Sequence, residues 1–225
     1  MNVQANLQLI RQKIQQACNR ANRNEEDITI IGVTKYVTIE RAKEAVESGI
    51  TNLGENRMEG FLEKYQELSN QATWHFIGSL QSRKVKDVIH GIDYIHSLDR
   101  ISLAKEINKR SDNPISCFIQ VNVSGEESKH GINVEQVHNF VEDLKRYENI
   151  KIVGLMTMAP HVEEQQIIRN TFSGLRRLRD EIRDKNYDHA PCDYLSMGMS
   201  NDYTIAIEEG ATHIRIGSNL VGSEK

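Results

Sequence analysis

The sequence predicts a single α/β domain over residues 1–225, a closed (β/α)8 barrel of the TIM type preceded by one extra helix. Three observations predict it. Eight short β-branched, apolar runs alternate with stretches of helical spacing, the pattern of parallel strands joined by crossover helices. The clearest runs are apolar on both faces, as strands covered on two sides must be. Glycine and polar residues collect where the runs end, and in a barrel those carboxyl ends form the active face. Eight such units suit a barrel, which typically takes about 250 residues. An open doubly wound sheet is the alternative. It would carry fewer strands and a Gly-x-Gly fingerprint after the first, whereas Gly32 is followed by Val33-Thr34-Lys35.

The first element is a helix over residues 2–21, with Val3, Leu7, Ile10, Ile14 and Ala17 on one face and Gln, Lys and Arg on the other. A polar break leads to the first strand, Ile28 to Val33, ending at Thr34-Lys35. A helix from Thr38 to Ser48 follows, with Gly49 as its stop. The second strand is short, Asn52-Leu53 before Gly54-Glu55-Asn56, and a helix runs on through Phe61 and Leu68. The third, Trp74 to Ile77, ends at Gly78-Ser79 and precedes a basic helical segment from Gln81 to Ile89. Ile92 to Ile95 is the fourth, with a helix from Asp99 to Lys109. Ile115 to Val123 is the fifth, followed by a polar loop, Ser124 to Gly131, and a helix from Val134 to Tyr147. Lys151 to Leu155 is the sixth, with a long charged helix between Glu163 and Arg183. Cys192 to Leu195 is the seventh, with a helix from Asp202 to Glu209 stopped by Gly210. Thr212 to Ile216 is the eighth.

Composition narrows the partners. The 28 basic and 32 acidic residues leave a net charge of −4, so no global attraction to nucleic acid or anionic membranes is expected. No apolar run approaches the ~20 residues of a membrane span, and the polar start Met1-Asn2-Val3-Gln4 does not read as a signal peptide. Cys18, Cys117 and Cys192 stand far apart without metal-ligand spacing. They read as reduced core thiols of a cytoplasmic protein.

Two features carry chemistry. The run Ser196 to Asp202 and the run Thr212 to Ser218 form two Ser/Gly-rich loops after the last two strands, where barrels of this type tend to seat a phosphate. Backbone N–H groups at a helix start suit that anion, and Arg215 adds a fixed cation between the loops. A Ser-rich N-cap is the plainer account of the first loop. The second feature is Lys35, which ends a buried strand and is expected to point, partly desolvated, into the barrel mouth, where its amine could form an imine. A lysine, a phosphate grip and an arginine on one face suit pyridoxal 5′-phosphate (PLP). An ion pair between Lys35 and Glu55, or phosphate binding without PLP in a phosphosugar barrel enzyme, fits the spacing equally well.

Five blocks in order carry a resemblance over nearly the whole chain. They are Val33-Thr34-Lys35, Gly54-Glu55-Asn56, Trp74 to Gly78 with Leu80-Gln81, Gly154 to Met158, and Leu195 to Ser200 continuing through Ala206-Ile207 and Gly210 to Gly217. The chain resembles the pyridoxal phosphate homeostasis protein family, single-domain PLP-binding proteins with a barrel like the N-terminal domain of alanine racemase (fold-type III PLP proteins). The resemblance implies Lys35 as the Schiff-base lysine. It implies Ser200, Gly217 and Ser218 around the phosphate with Met199 and Gly198 lining that loop, Arg215 facing the pyridine nitrogen, and Asn56 near the ring hydroxyl. Ser79, Arg83 and Val221 depart from the family pattern, where proline, asparagine and phenylalanine are common.

The remaining candidates have plainer readings. His75 reads as a satisfied interior histidine, and Glu55 as a first-turn carboxylate. Arg83, Lys84 and Lys86 read as a solvated basic face. Arg176, Arg177, Arg179 and Arg183 read as part of a mixed-charge surface. The polar loop at Ser124, with Lys129, reads as a crossover loop, with a lid or a cofactor-transfer contact as the alternative. Two functions compete. One is a PLP carrier that supplies the cofactor to apo-enzymes, as a monomer, without turnover. The other is a PLP-dependent amino-acid racemase. Two-domain racemases of this fold take a second base, a tyrosine, from a C-terminal β-domain. The chain ends at Lys225, a few residues past its eighth strand, and the carrier is the expectation.

Overall fold

The computed structural model describes residues 2–126 and 129–222. Eight parallel strands close into a barrel: β1 (Thr29–Val33), β2 (Asn52–Glu55), β3 (Thr73–Phe76), β4 (Tyr94–Leu98), β5 (Ile115–Asn122), β7 (Ile150–Met156), β8 (Tyr194–Met199) and β9 (His213–Ile216). Each pairs with the next in that order. β9 pairs with β1 to close the ring, and a two-residue strand, β6 (Ile132–Asn133), adds onto the end of β5.

The helices cover the outside: α1 (Val3–Ala21), α2 (Ile39–Glu47), α3 (Met58–Leu68), α4 (Val85–Val88), α5 (Ile101–Arg110), α6 (Val137–Leu144), α7 (Gln165–Arg183), α8 (Tyr203–Glu208) and α9 (Ser218–Val221). Their stripes bury Phe61, Leu103, Phe172 and Leu175 in the core, and α1 buries Leu7, since burying an amphipathic face is what stabilises such helices. No described helix is long and apolar enough to cross a membrane. Cys18, Cys117 and Cys192 are buried free thiols.

The extra helix α1 braces the end of the chain. Asn2 caps it by accepting from the Ala5 N–H at 3.1 Å, and Asn22 ends it in the left-handed region at φ 52°. Its Asn6 amide donates to the Leu220 carbonyl at 2.9 Å. Just beyond it, one nitrogen of Arg23 donates to the carbonyls of Ile207 and Ala211, both at 2.7 Å. The last two crossover units are thereby held from outside the barrel.

Three differences from the sequence expectation bear on the site. β4 begins at Tyr94 rather than Ile92, because Asp93 belongs to the turn and its carboxylate accepts from the Trp74 N–H at 2.7 Å. The basic segment after Gly78 is a 3-10 turn over Ser82–Lys84 and one turn of α4, not a full helix. β8 continues from Tyr194 to Met199, so Ser196 and Met197 lie in the strand and only the residues after Met199 form the loop. A register shift against β9 between Ser196 and Met199 accommodates Gly198 at φ +92°. Of the polar loop at Ser124, residues 127 and 128 lie outside the described residues. Asn122 organises its start by accepting from the Gly125 N–H at 3.1 Å, and Lys129 pairs with Glu126 at 3.1 Å.

Candidate functional site

A cavity of about 500 Å³ opens at the carboxyl ends of the strands. Lys35, Asn56, Met199, Ser200, Arg215, Gly217 and Ser218, expected from sequence, line it; Gly198, expected beside Met199, is not among its lining residues. The ends of β1, β3, β5, β7 and β8 contribute its other walls, among them Ile77, Gln120 and Met158.

Lys35 sits two residues past β1, in a turn closed by the Val37 N–H donating to the Thr34 carbonyl at 3.2 Å. That turn carries the side chain out to the rim. Lys35 is exposed, not partly desolvated as the strand-end position suggested, and its ammonium lies 4.8 Å from the centre of the Tyr36 ring. The alternative pairing with Glu55 is not made. Glu55 is the last residue of β2 and is 1% exposed; it accepts from the Thr34 hydroxyl at 2.6 Å and pairs with Lys64 at 3.1 Å. It is therefore a buried partner under the site, not a first-turn carboxylate. Burial raises its pKa, and the Thr34 hydrogen bond and Lys64 only partly offset that. Among the described residues no carboxylate pairs with the Lys35 amine.

The two Ser/Gly loops meet across one side of the cavity. The Asn219 amide, in the loop after β9, donates to the Ser200 carbonyl at 3.0 Å. Asp202 holds the first loop by accepting from the Met199 N–H at 2.6 Å. Burial raises the Asp202 pKa against that hydrogen bond and the charge of Arg215. Gly217 precedes the one-turn helix α9, so backbone donors face the space beside Ser218.

Arg215 forms the floor. It is 4% exposed, donating to the Ser196 hydroxyl at 2.6 Å and to the Thr157 carbonyl at 3.0 Å. Burial brings its pKa down to about 10, partly offset by Asp202, which leaves the guanidinium fully charged at neutral pH. Asn56 follows β2, two strands away from β9. Its Oδ1 is buried without a hydrogen-bond partner among the described residues, which is costly unless a ligand donor meets it. Gly78 permits this placement, because a Cβ there would stand 2.3 Å from the Asn56 carbonyl. A lysine at the rim, a cation in the floor, an orphaned acceptor on one wall and two donor-rich loops on another fit the aldehyde, ring nitrogen, ring hydroxyl and phosphate of PLP.

Several of these residues escaped the sequence reading. Asp202 closes the first Ser/Gly run but was given no role of its own, and Gln120, His130, Pro160 and His161 were not singled out, yet all line the cavity. His75 is a satisfied interior histidine as expected, 2% exposed with both ring nitrogens bonded. Its partner His96 was missed because β4 was placed two residues early. Polar residues inside otherwise apolar strands, His75, His96, Ser196 and His213, were the available signal. Arg179, read as surface, is 8% exposed and donates to the Asp193 carbonyl at 2.5 Å. Among the described residues no group of His, Cys, Asp and Glu could hold a metal ion.

Comparison with known proteins gives the family and the fold. The sequence profile of the alanine racemase N-terminal domain matches residues 5–225. The pyridoxal phosphate homeostasis protein of Aquifex aeolicus is 43% identical over 229 residues, covering 100% of both chains. The structure of PipY from Synechococcus elongatus, with PLP bound, superposes with a TM-score of 0.82 at 27% identity, covering 93% of this chain and 100% of that one. An alanine racemase of Clostridium difficile shares the fold, with a TM-score of 0.78 at 18% identity, over 97% of this chain and 56% of that one.

Proposed function

From the premise that this chain belongs to the pyridoxal phosphate homeostasis proteins, within the alanine racemase N-terminal domain family, we propose that it holds PLP as a Schiff base on Lys35 and supplies the cofactor without turning over a substrate. The observation that carries the reading is the convergence of Lys35, Asn56, Met199, Ser200, Arg215, Gly217 and Ser218 on one cavity. In this reading Ser200, Gly217, Ser218 and Met199 hold the phosphate. Asn56 accepts from the ring hydroxyl side. Arg215 faces the ring nitrogen.

When bound, PLP supplies an electrophilic aldehyde and, if its ring nitrogen is protonated, an electron sink. A permanently charged guanidinium at that nitrogen opposes its protonation, which disfavours carbanion chemistry. The cavity walls support the same conclusion. No tyrosine lines it among the described residues, and its one carboxylate, Asp202, is occupied by the Met199 N–H. Lys35 is exposed at the rim, so water or an incoming amine from a recipient apo-enzyme can reach it and the aldehyde can be given up. In this proposal the protein is a cytoplasmic monomer; sedimentation checks the monomer and fractionation the compartment.

The visible spectrum of the protein with PLP, before and after borohydride reduction, tests binding. Reduction should fix one PLP on the peptide containing Lys35, and Lys35→Ala should abolish the label. A label elsewhere in the chain refutes the assignment. Stereochemical assays over the amino acids test turnover, and steady interconversion of any enantiomer pair favours the racemase instead.

A further inference from the structure

A buried hydrogen-bond chain runs through the middle of the barrel. The Asn52 Oδ1 lies 2.9 Å from His75 Nε2. His75 Nδ1 lies 2.9 Å from His96 Nε2. His96 Nδ1 lies 2.8 Å from the Ser196 hydroxyl, which accepts from Arg215 at 2.6 Å. His75, His96, Ser196 and Arg215 are 2%, 0%, 0% and 4% exposed. Asn52, at the other end, lines a separate cavity of about 650 Å³ where the strands begin. The chain therefore connects the two ends of the barrel.

Its polarity is set at both termini. A guanidinium has only donors and Asn52 Oδ1 is only an acceptor. The hydrogens must therefore run one way: Arg215 to Ser196, Ser196 to His96 Nδ1, His96 Nε2–H to His75 Nδ1, and His75 Nε2–H to Asn52. Every member is satisfied, and each imidazole is neutral. Ring packing holds the imidazole planes, with His96 stacked on Phe118 at 4.3 Å and His75 on Tyr94 at 4.6 Å between centroids. One-directional chains polarise each donor in turn and strengthen the bonds together.

We infer that Ser196, His96 and His75 are positioning residues that fix the Arg215 guanidinium toward the cofactor ring, through a single order of hydrogens running from Arg215 to Asn52. This rests on the proposed seating of PLP, with Arg215 at the ring nitrogen. Arg215 has two anchors inside the protein, the Ser196 hydroxyl and the Thr157 carbonyl. The first presents a free lone pair because its own hydrogen is taken by His96. Neutral histidines also place no second positive charge beside the buried guanidinium. Burial foremost, then the charges of His75 and Arg215, holds the His96 pKa well below that of a free imidazole.

Two measurements test the inference. In the PLP-free protein with 15N-labelled histidine, His75 and His96 should both be Nε2–H tautomers; an Nδ1–H form of either overturns the order of hydrogens. Ser196→Ala removes one oxygen and spares the rings, whose loss endangers folding. It should weaken PLP binding about tenfold and shift the visible maximum of the bound cofactor. Ser196→Thr, which keeps the hydroxyl, should restore both. Added to Arg215→Met, Ser196→Ala should cost nothing more. Unchanged affinity and spectrum in Ser196→Ala, or losses that add in the double variant, refute the positioning role while leaving the Lys35 assignment intact. Failure of the wild-type protein to take PLP refutes that assignment, and the role of the chain with it.

Discussion

Lys64→Met should be among the most damaging single substitutions outside the cavity. Lys64 and Glu55 form an ion pair at 3.1 Å with side chains 5% and 1% exposed. Removing one partner of so buried a pair leaves the other charge uncompensated and costs about 3–5 kcal/mol. Against a total stability of about 5–15 kcal/mol that is a large share. For a chain of this size it lowers the melting temperature by roughly 6 to 20 °C. The deficit depends on pH. Burial already raises the Glu55 pKa, and loss of Lys64 raises it further above its unfolded value near 4.3. A carboxyl raised in the folded state contributes stability below its unfolded pKa and loses it as pH rises through the folded pKa. The Lys64→Met deficit should therefore be largest at neutral pH and shrink toward pH 4. Glu55→Leu combined with Lys64→Met removes both charges and should recover most of the loss, short of wild type by the Thr34 hydroxyl left unpaired. Urea denaturation of wild type, both singles and the double at pH 7 and pH 4 measures all of this. Singles within about 1 kcal/mol of wild type, or a double costing the sum of the singles, would refute the reasoning. Glu55 also accepts from Thr34, the residue before Lys35, so the singles should weaken PLP binding too.

Gly198→Ala should destabilise by about 2–5 kcal/mol, from left-handed strain and overpacking together. The residue sits at φ +92°, and an added Cβ would stand 2.6 Å from the Ala206 Cβ; thermal denaturation checks it. Acid should unfold the protein through its interior histidines. His75 and His213 are depressed, chiefly by burial, to about 3 and about 4. Their stability contribution is present above the unfolded value near 6.5 and lost as pH falls through that range. At pH 5 the loss is about 2 kcal/mol for each. Replacing His213 by Phe should flatten the stability profile between pH 7 and pH 5. Asp202→Ala should cost about 1–3 kcal/mol by orphaning the Met199 N–H and should weaken PLP binding. Asp202→Asn, which keeps the acceptor, should largely spare stability, as paired denaturation and binding curves would register.

The barrel was legible in the order of residues because its signals are local. Ile28 to Val33 reads as a strand and Val3 to Ala17 as a helix from spacing alone, and β1 and α1 lie where that spacing put them. The lining of the cavity was legible for the same reason: carboxyl ends of strands face one way in a barrel, so Lys35, Asn56 and Arg215 had to share a mouth. Only the tertiary structure decided what each of these residues meets. The turn at Thr34–Val37 puts Lys35 in solvent. Lys64, on the helix after β2, claims Glu55. His75 and Ser196, far apart in the chain, become links in one chain of hydrogens through His96. The physical reason is range. Hydrophobic periodicity and turn chemistry act over a few residues and are written in sequence. A hydrogen-bond partner across a closed barrel depends on the register of every strand between, and a two-residue shift such as that of β4 is enough to hide it.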